Sequence, residues 1–150
     1  MLKGAASSLL VLPSLESPIS KYNLPRAERL RGRKTFQLLF HLAQVWEAAA
    51  LRLYGVAFLI NLQHPSLRVA FSVPKRVCRK AAHRHRIRRR LREAYRLEKA
   101  SFLDTLPYGE VWLLWQWRTP EVPSVSYLRS QMQSLYKRFQ LACYASSSSD

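Results

Sequence analysis

The chain has 150 residues, 48% of them hydrophobic, which suffices for one packed domain and argues against wholesale disorder. Lys and Arg number 25 against nine Asp and Glu, a formal charge of +16. That excess points to a polyanionic partner, nucleic acid before an anionic membrane, and away from an ordinary enzyme of small molecules. Cys78 and Cys143 form no CxxC and no secretory disulfide pattern, so a reducing, cytoplasmic setting is expected. No apolar run approaches the roughly 18 residues that span a bilayer.

Residues 1–23 hold Ser, Pro and Leu without periodicity and read as a tail. A single domain is expected over 24–142, with a Ser-rich tail at 143–150. Leu24-Pro25-Arg26-Ala27-Glu28 reads as a helix entry. The spacing of Leu30, Phe36, Leu39, Phe40 and Ala43 predicts a first helix over about 26–44. Residues 45–50 either extend it or begin a short strand. Leu51–Leu62 reads as a buried strand, Gln63-His64-Pro65-Ser66 as a turn, and Leu67–Val73 as its hairpin partner. Pro74–Lys80 is a basic connection. The next helix, over 81–99, carries an apolar stripe of Ile87, Leu91, Ala94 and Tyr95. Pro107-Tyr108-Gly109 is a turn, Glu110–Arg118 a strand and Ser124–Leu141 a last helix. The order implies an α+β fold, an α/β sandwich of about α-β-β-β-α-β-α order.

The chemistry is concentrated in the middle of the chain. Twelve basic residues lie between Lys75 and Lys99, with only Glu93 and Glu98 among them. At 100° per residue His85, Arg88, Arg89, Arg92 and Arg96 flank the apolar stripe on one side. Arg84 lies near the helix's amino end, where unpaired N–H groups also favour phosphate. Arginine suits phosphate because its planar fork matches the oxygens and keeps its charge. A solvated basic face is the bland alternative. Against it, the pairs Arg84/Arg88, Arg88/Arg92 and Arg92/Arg96 each cost a few tenths of a kcal/mol by repulsion.

Phe36 and Phe40 share a helix face beside Arg33 and Lys34. They can stack unpaired bases or pack in the core, and spacing alone favours the core. Cys78, His83 and His85 lack a fourth ligand and lie in a cationic patch, so no metal site is expected there. Trp112, Trp115 and Trp117 should divide between the two sheet faces. No Walker loop, GxGxxG or Ser-His-Asp set is present.

The run Ser72-Val73-Pro74-Lys75-Arg76 through Lys80-Ala81-Ala82-His83-Arg84-His85-Arg86-Ile87-Arg88-Arg89-Arg90-Leu91-Arg92-Glu93 resembles the signature region of the bacterial ribonuclease P protein component. That family shows a Lys-Ala-Val-x-Arg-Asn-Arg-x-Lys-Arg-x-x-Arg-Glu pattern after a basic loop. The stretch Glu28-Arg29-Leu30-Arg31 to Phe36-Gln37-Leu38-Leu39-Phe40 is similar to the family's amino-terminal segment. The likeness covers about residues 24–141.

The resemblance implies the small subunit of an endoribonuclease ribonucleoprotein that removes the 5′ leader from precursor tRNA. Its RNA would perform the hydrolysis and hold most of the Mg²⁺, with no cofactor on the protein, no membrane and no small-molecule substrate. It implies contact with the catalytic RNA through Lys75, Arg76, Lys80, Arg84, His85, Arg86, Arg88, Arg89 and Arg92. It implies a leader-binding cleft lined by Arg33, Lys34, Phe36, Phe40, Tyr54 and Phe58, and a left-handed βαβ crossover. His85 stands where the family has Asn, and the usual loop glycine is missing near Cys78-Arg79, which predicts a different backbone path. A structural RNA-binding module, a basic amphipathic membrane-surface helix and a protein-only nuclease are the competing readings. The last would need clustered carboxylates.

Overall fold

In the computed structural model the described residues are 24–58, 66–106 and 109–148. The expected tail at 1–23 lies outside them, as do the expected end of the second strand and most of its turn. A 3₁₀ turn at Arg26–Glu28 precedes α1 (Arg33–Leu42), β1 (Gln44–Ala48), β2 (Leu51–Phe58), β3 (Ser66–Ser72), α2 (Ala81–Asp104), β4 (Glu110–Trp117) and α3 (Val125–Ser148).

The first helix is shorter than its apolar spacing predicts. Gly32 stands at φ 96, a left-handed setting open to glycine, and breaks the run into the 3₁₀ turn and α1. Between them Arg29 and Leu30 lie along the outer edge of β3, where Leu30 N–H donates to the Val69 carbonyl at 3.0 Å. The ambiguous segment 45–50 resolves as β1 and a tight turn. Ala48 faces Leu51 across the pair, and Ala49 takes φ 50 between them.

The sheet order is β1-β2-β4-β3. β2 and β3 are therefore not a hairpin pair, as their sequence adjacency suggested. β4 inserts between them, antiparallel to β2 and parallel to β3. The physical reason is burial: β4 is buried along most of its length, so it takes the centre and leaves the half-polar β3 at the edge. β3, α2 and β4 thus form a crossover between adjacent parallel strands.

The two sheet faces bury different cores. Leu51, Leu53, Val69, Leu113, Trp115 and Trp117 point to α2 and α3 and form the main core with Ile87, Leu91, Tyr95, Met132 and Phe139. Leu114 points the other way, to Leu30 and Leu39, with Phe36, Tyr54 and Trp112 packed around them. The tryptophans divide as expected. Phe102 stacks between Trp115 and Tyr136, at 6.2 and 4.2 Å between centroids. α2 continues five residues beyond its expected end, to Asp104, because Phe102 still belongs to this buried stripe. α3 is capped by Ser124, whose Oγ accepts from Tyr127 N–H at 3.1 Å. It runs on through Ser148, so the expected tail boundary at 143 falls inside a helix, where Cys143 packs against the core.

Gly55 lets α3 sit close on β2. A Cβ there would lie 2.8 Å from Phe139 Cδ1. Gly55→Ala should lower stability by about 1–3 kcal/mol in denaturant unfolding. Burial pushes the Tyr136 phenol from 10.0 up to about 12, and its hydroxyl donates to the Phe102 carbonyl at 2.9 Å. The folded state favours the neutral phenol, so this stabilisation is complete below pH 10 and declines as pH rises towards about 12. Tyr136→Phe should shrink the alkaline loss of stability over that window.

Candidate nucleic-acid interface

The apolar stripe of α2 lies against β3 and α3, so its arginines point outward or along its flanks. They do not share one fate. Arg84 folds back on the preceding loop, and its Nη1 donates to the Cys78 and Arg79 carbonyls at 3.0 and 2.8 Å. Arg90 donates to the Pro123 carbonyl at 3.1 Å and ties α2 to the start of α3. Arg96 pairs with Glu93, whose carboxyl it holds below the ordinary range by hydrogen bonding, and Lys99 pairs with Glu28 at 2.6 Å.

Seven exposed cations and His85 form the ridge. His85, Arg86, Arg89 and Arg92 are exposed along α2, and Lys75, Arg76, Arg79 and Lys80 are exposed on the loop before it. Among the described residues no carboxylate pairs with any of these eight. Arg88 is half-buried, and its Nε is enclosed with no partner among the described residues. Glu98, which the sequence placed among arginines on a charged helix, is buried instead. It accepts from Arg129 Nε at 2.6 Å and Gln133 Nε2 at 2.9 Å on α3, and so binds the two long helices together.

The loop from Val73 to Lys80 needs no glycine. Among the described residues positive φ occurs only at Ala49, Gly32 and Gly109. The loop closes as a turn in which Val77 and Cys78 N–H donate to the Pro74 carbonyl, and the Cys78 side chain is buried. The loop, which lacks the glycine that the resemblance led us to expect, has ordinary dihedrals and is held from the helix side by Arg84.

The second sheet face supplies an aromatic surface. Strand register sets its rows: Arg52, Gln116 and Ser72; Tyr54, Leu114 and Ala70; Val56, Trp112 and Arg68. α1 crosses this face with Leu39 buried at its centre. Phe36 and Phe40 share one flank of the helix. Phe36 is half-buried in the small core, as spacing alone favoured, whereas Phe40 is 53% exposed and meets the Tyr54 ring edge-on at 5.2 Å. Leu42, at the end of α1, lines a small cavity together with Val56 and Ala57. Phe58 stands at that far end of β2, edge-on to Trp112 at 4.7 Å, so it is not grouped with the Phe40–Tyr54 pair. Arg33 and Lys34 are exposed on the first turn of α1.

Two features of this face were not singled out from the sequence. The Arg52 guanidinium lies 5.9 Å from the Tyr54 ring centroid and donates to its hydroxyl at 3.1 Å. Gln116 is buried beside it, and its Oε1 has no partner among the described residues. Residues 52 and 54 share a face by strand alternation, which was the available signal; Gln116 has none, because its setting depends on β4 lying between β2 and β3.

Since β3 and β4 run parallel, the loop after Ser72 and the start of α2 lie at the Arg52–Gln116–Ser72 end of the sheet. The cationic ridge and the aromatic face therefore meet at one end of the molecule. No group of three or more His, Cys, Asp or Glu suited to a metal ion occurs among the described residues, and no described helix is long and apolar enough to cross a membrane.

The model of the Ribonuclease P family matches residues 24–140. The ribonuclease P protein component of Chlorobaculum tepidum is 32% identical over 124 residues, 76% of this chain and 80% of that protein. Its counterpart from Nitrosomonas eutropha is 37% identical over 75 residues, 50% of this chain and 60% of that protein. The RNase P protein of Thermotoga maritima superposes with a TM-score of 0.57 at 22% identity, over 74% of this chain and 96% of that one. That of Staphylococcus aureus gives 0.55 at 16% identity, over 75% and 94%.

Arg84→Ala should lower stability by about 1–3 kcal/mol, because two carbonyl oxygens lose a charged donor. Arg89→Ala should leave stability within about 0.5 kcal/mol of the parent. Denaturant unfolding of both variants separates the anchoring arginine from the exposed one.

Proposed function

Because this chain belongs to the ribonuclease P protein family, and so to the tRNA-processing ribonuclease complex as a partner of RNase P RNA, we propose that it grips that RNA through the α2 ridge and receives the precursor's 5′ leader on the aromatic face. The observation that carries the reading is the eight-residue exposed ridge with no acidic partner among the described residues. Bringing so many like charges together is unfavourable in the free protein, and RNA phosphates relieve it while releasing counterions.

The residues divide the work. Arg86, Arg89 and Arg92 meet phosphates along the helix, and Lys75, Arg76 and Lys80 do so from the loop. His85 offers a ring N–H where the family has an amide. Arg84 acts through the loop it anchors and is a positioning residue. Phe40 and Tyr54 stack bases of the single strand, and Arg33 and Lys34 lie within the same electrostatic reach. Phe36 backs Phe40 from the small core. Phe58 lies far enough along β2 to touch only a leader that passes α1.

Bond cleavage is assigned to the RNA. The protein lowers repulsion between two RNAs and adds contacts to the leader, and neither task needs a protein nucleophile. Mg²⁺ belongs with the RNA in this reading, since the chain's carboxylates are scattered or engaged with arginine. Cytoplasmic residence follows as part of the same proposal.

Reconstitution with RNase P RNA at low Mg²⁺ tests the proposal: precursor tRNA should be cut only when the protein is added. Arg89→Glu with Arg92→Glu should reduce RNA affinity by tenfold or more at unchanged melting temperature. The parent's log affinity should fall linearly with log salt, by about 0.7–0.9 per phosphate contacted. Phe40→Ala should weaken leader-bearing substrate and spare mature tRNA. RNA binding without any stimulation of cleavage would instead mark a structural RNA-binding module.

A further inference from the structure

At the hairpin end of the aromatic face one carboxylate is ringed by arginines. Glu47 Oε1 accepts from Arg52 Nε at 2.7 Å and from Arg118 Nη1 at 2.6 Å, and Arg52 Nη2 reaches the same oxygen. Arg138 Nη1 donates to the Glu47 carbonyl at 3.0 Å. The four residues come from β1, β2, the end of β4 and α3, so the cluster exists only in the folded chain. Glu47 is the one carboxylate paired with Arg52 or Arg118 among the described residues.

Two guanidinium groups on one carboxylate leave the site net positive, and Arg138 adds a third cation at the Glu47 backbone. Two arginines converge on a single carboxylate oxygen, as they would on one oxygen of a phosphate. The site is open, with the Glu47 side chain 47% exposed and that of Arg118 39%. It also adjoins the aromatic surface, since Arg52 lies against Tyr54 and opposite Gln116.

We propose that the Glu47 carboxylate stands in for an RNA phosphate, and that Arg52 and Arg118 take up a backbone phosphate of the single-stranded leader when Glu47 turns aside. The inference rests on the leader reading above and adds to it a phosphate subsite and an internal competitor. Hydrogen bonds from Arg52, against a slight desolvation and with the charges of Arg52 and Arg118, hold the Glu47 carboxyl below its ordinary range, so the competitor is ionised at neutral pH. Exchanging carboxylate for phosphate alone gains little. A strand gains only if its bases also stack on Phe40 and Tyr54, so the exchange selects single-stranded RNA over lone anions.

The test uses the full chain and a labelled uridylate RNA of about ten nucleotides. Glu47→Gln should raise affinity three- to tenfold at low salt and steepen the log–log salt slope by about 0.7. Asp104→Asn makes the same charge change at the end of α2 and should alter neither. Adding Arg118→Gln to Glu47→Gln should cancel the gain. Parental affinity and slope in Glu47→Gln, an equal gain in Asp104→Asn, or a gain that survives Arg118→Gln would overturn the subsite while leaving the leader reading intact. A parent chain that does not bind the single strand would overturn both.

Discussion

The structure depends on the burial of one side of α2. Ile87, Leu91, Ala94 and Tyr95 are removed from water against the sheet and α3, and Tyr95 meets Phe71 at 5.7 Å between centroids. Ile87 and Leu91 each contribute about 1.5–3 kcal/mol on burial, and the Ala94 methyl about 0.8 kcal/mol. The few tenths of a kcal/mol lost at each close arginine pair are small beside that. The helix can therefore hold a charge density that would not sustain an isolated helix, and its rotation about its own axis is set by the apolar side. The cations go where the core does not.

The sheet separates two tasks in the same way. Its α2–α3 face is closed and apolar, while its α1 face buries Leu30, Leu39, Leu114 and Gln116 and leaves Phe40 and Tyr54 accessible. β4 serves both faces at once. Trp115 and Trp117 stabilise the main core, and Leu114 and Gln116 form the floor on the other side. The parallel pairing of β3 with β4 then brings the basic loop to the Gln116 end of that floor. One connection thus joins the cationic ridge to the exposed aromatic surface.

Basic residues in this chain serve two ends that a charge count merges. Arg84, Arg90, Arg129 and Arg138 donate to carbonyls or to the buried Glu98 and hold the fold. Arg86, Arg89 and Arg92 stand in solvent along α2. The first group sets the position of the second. The loop before α2 shows the coupling, because Arg84 holds it in place with ordinary dihedrals and without a glycine.

Much of this was legible in the residues themselves. Periodicity identified both long helices, the stripe of α2 and the strand at 110–117, because side-chain burial repeats every 3.6 or two residues whatever the partner. The motif around Lys80–Glu93 pointed to the family, since charge and apolar register match it together. What spacing could not supply was long-range: that β4 separates β2 from β3, that Arg129 and Gln133 are the partners of Glu98, that Phe40 is open while Phe36 is not, and that Glu47 collects arginines from three other elements. Local sequence determines which face of each element avoids water. Which elements share that dry space, and hence which charges are neutralised and which left for a partner, is decided only when strands distant in the chain pair.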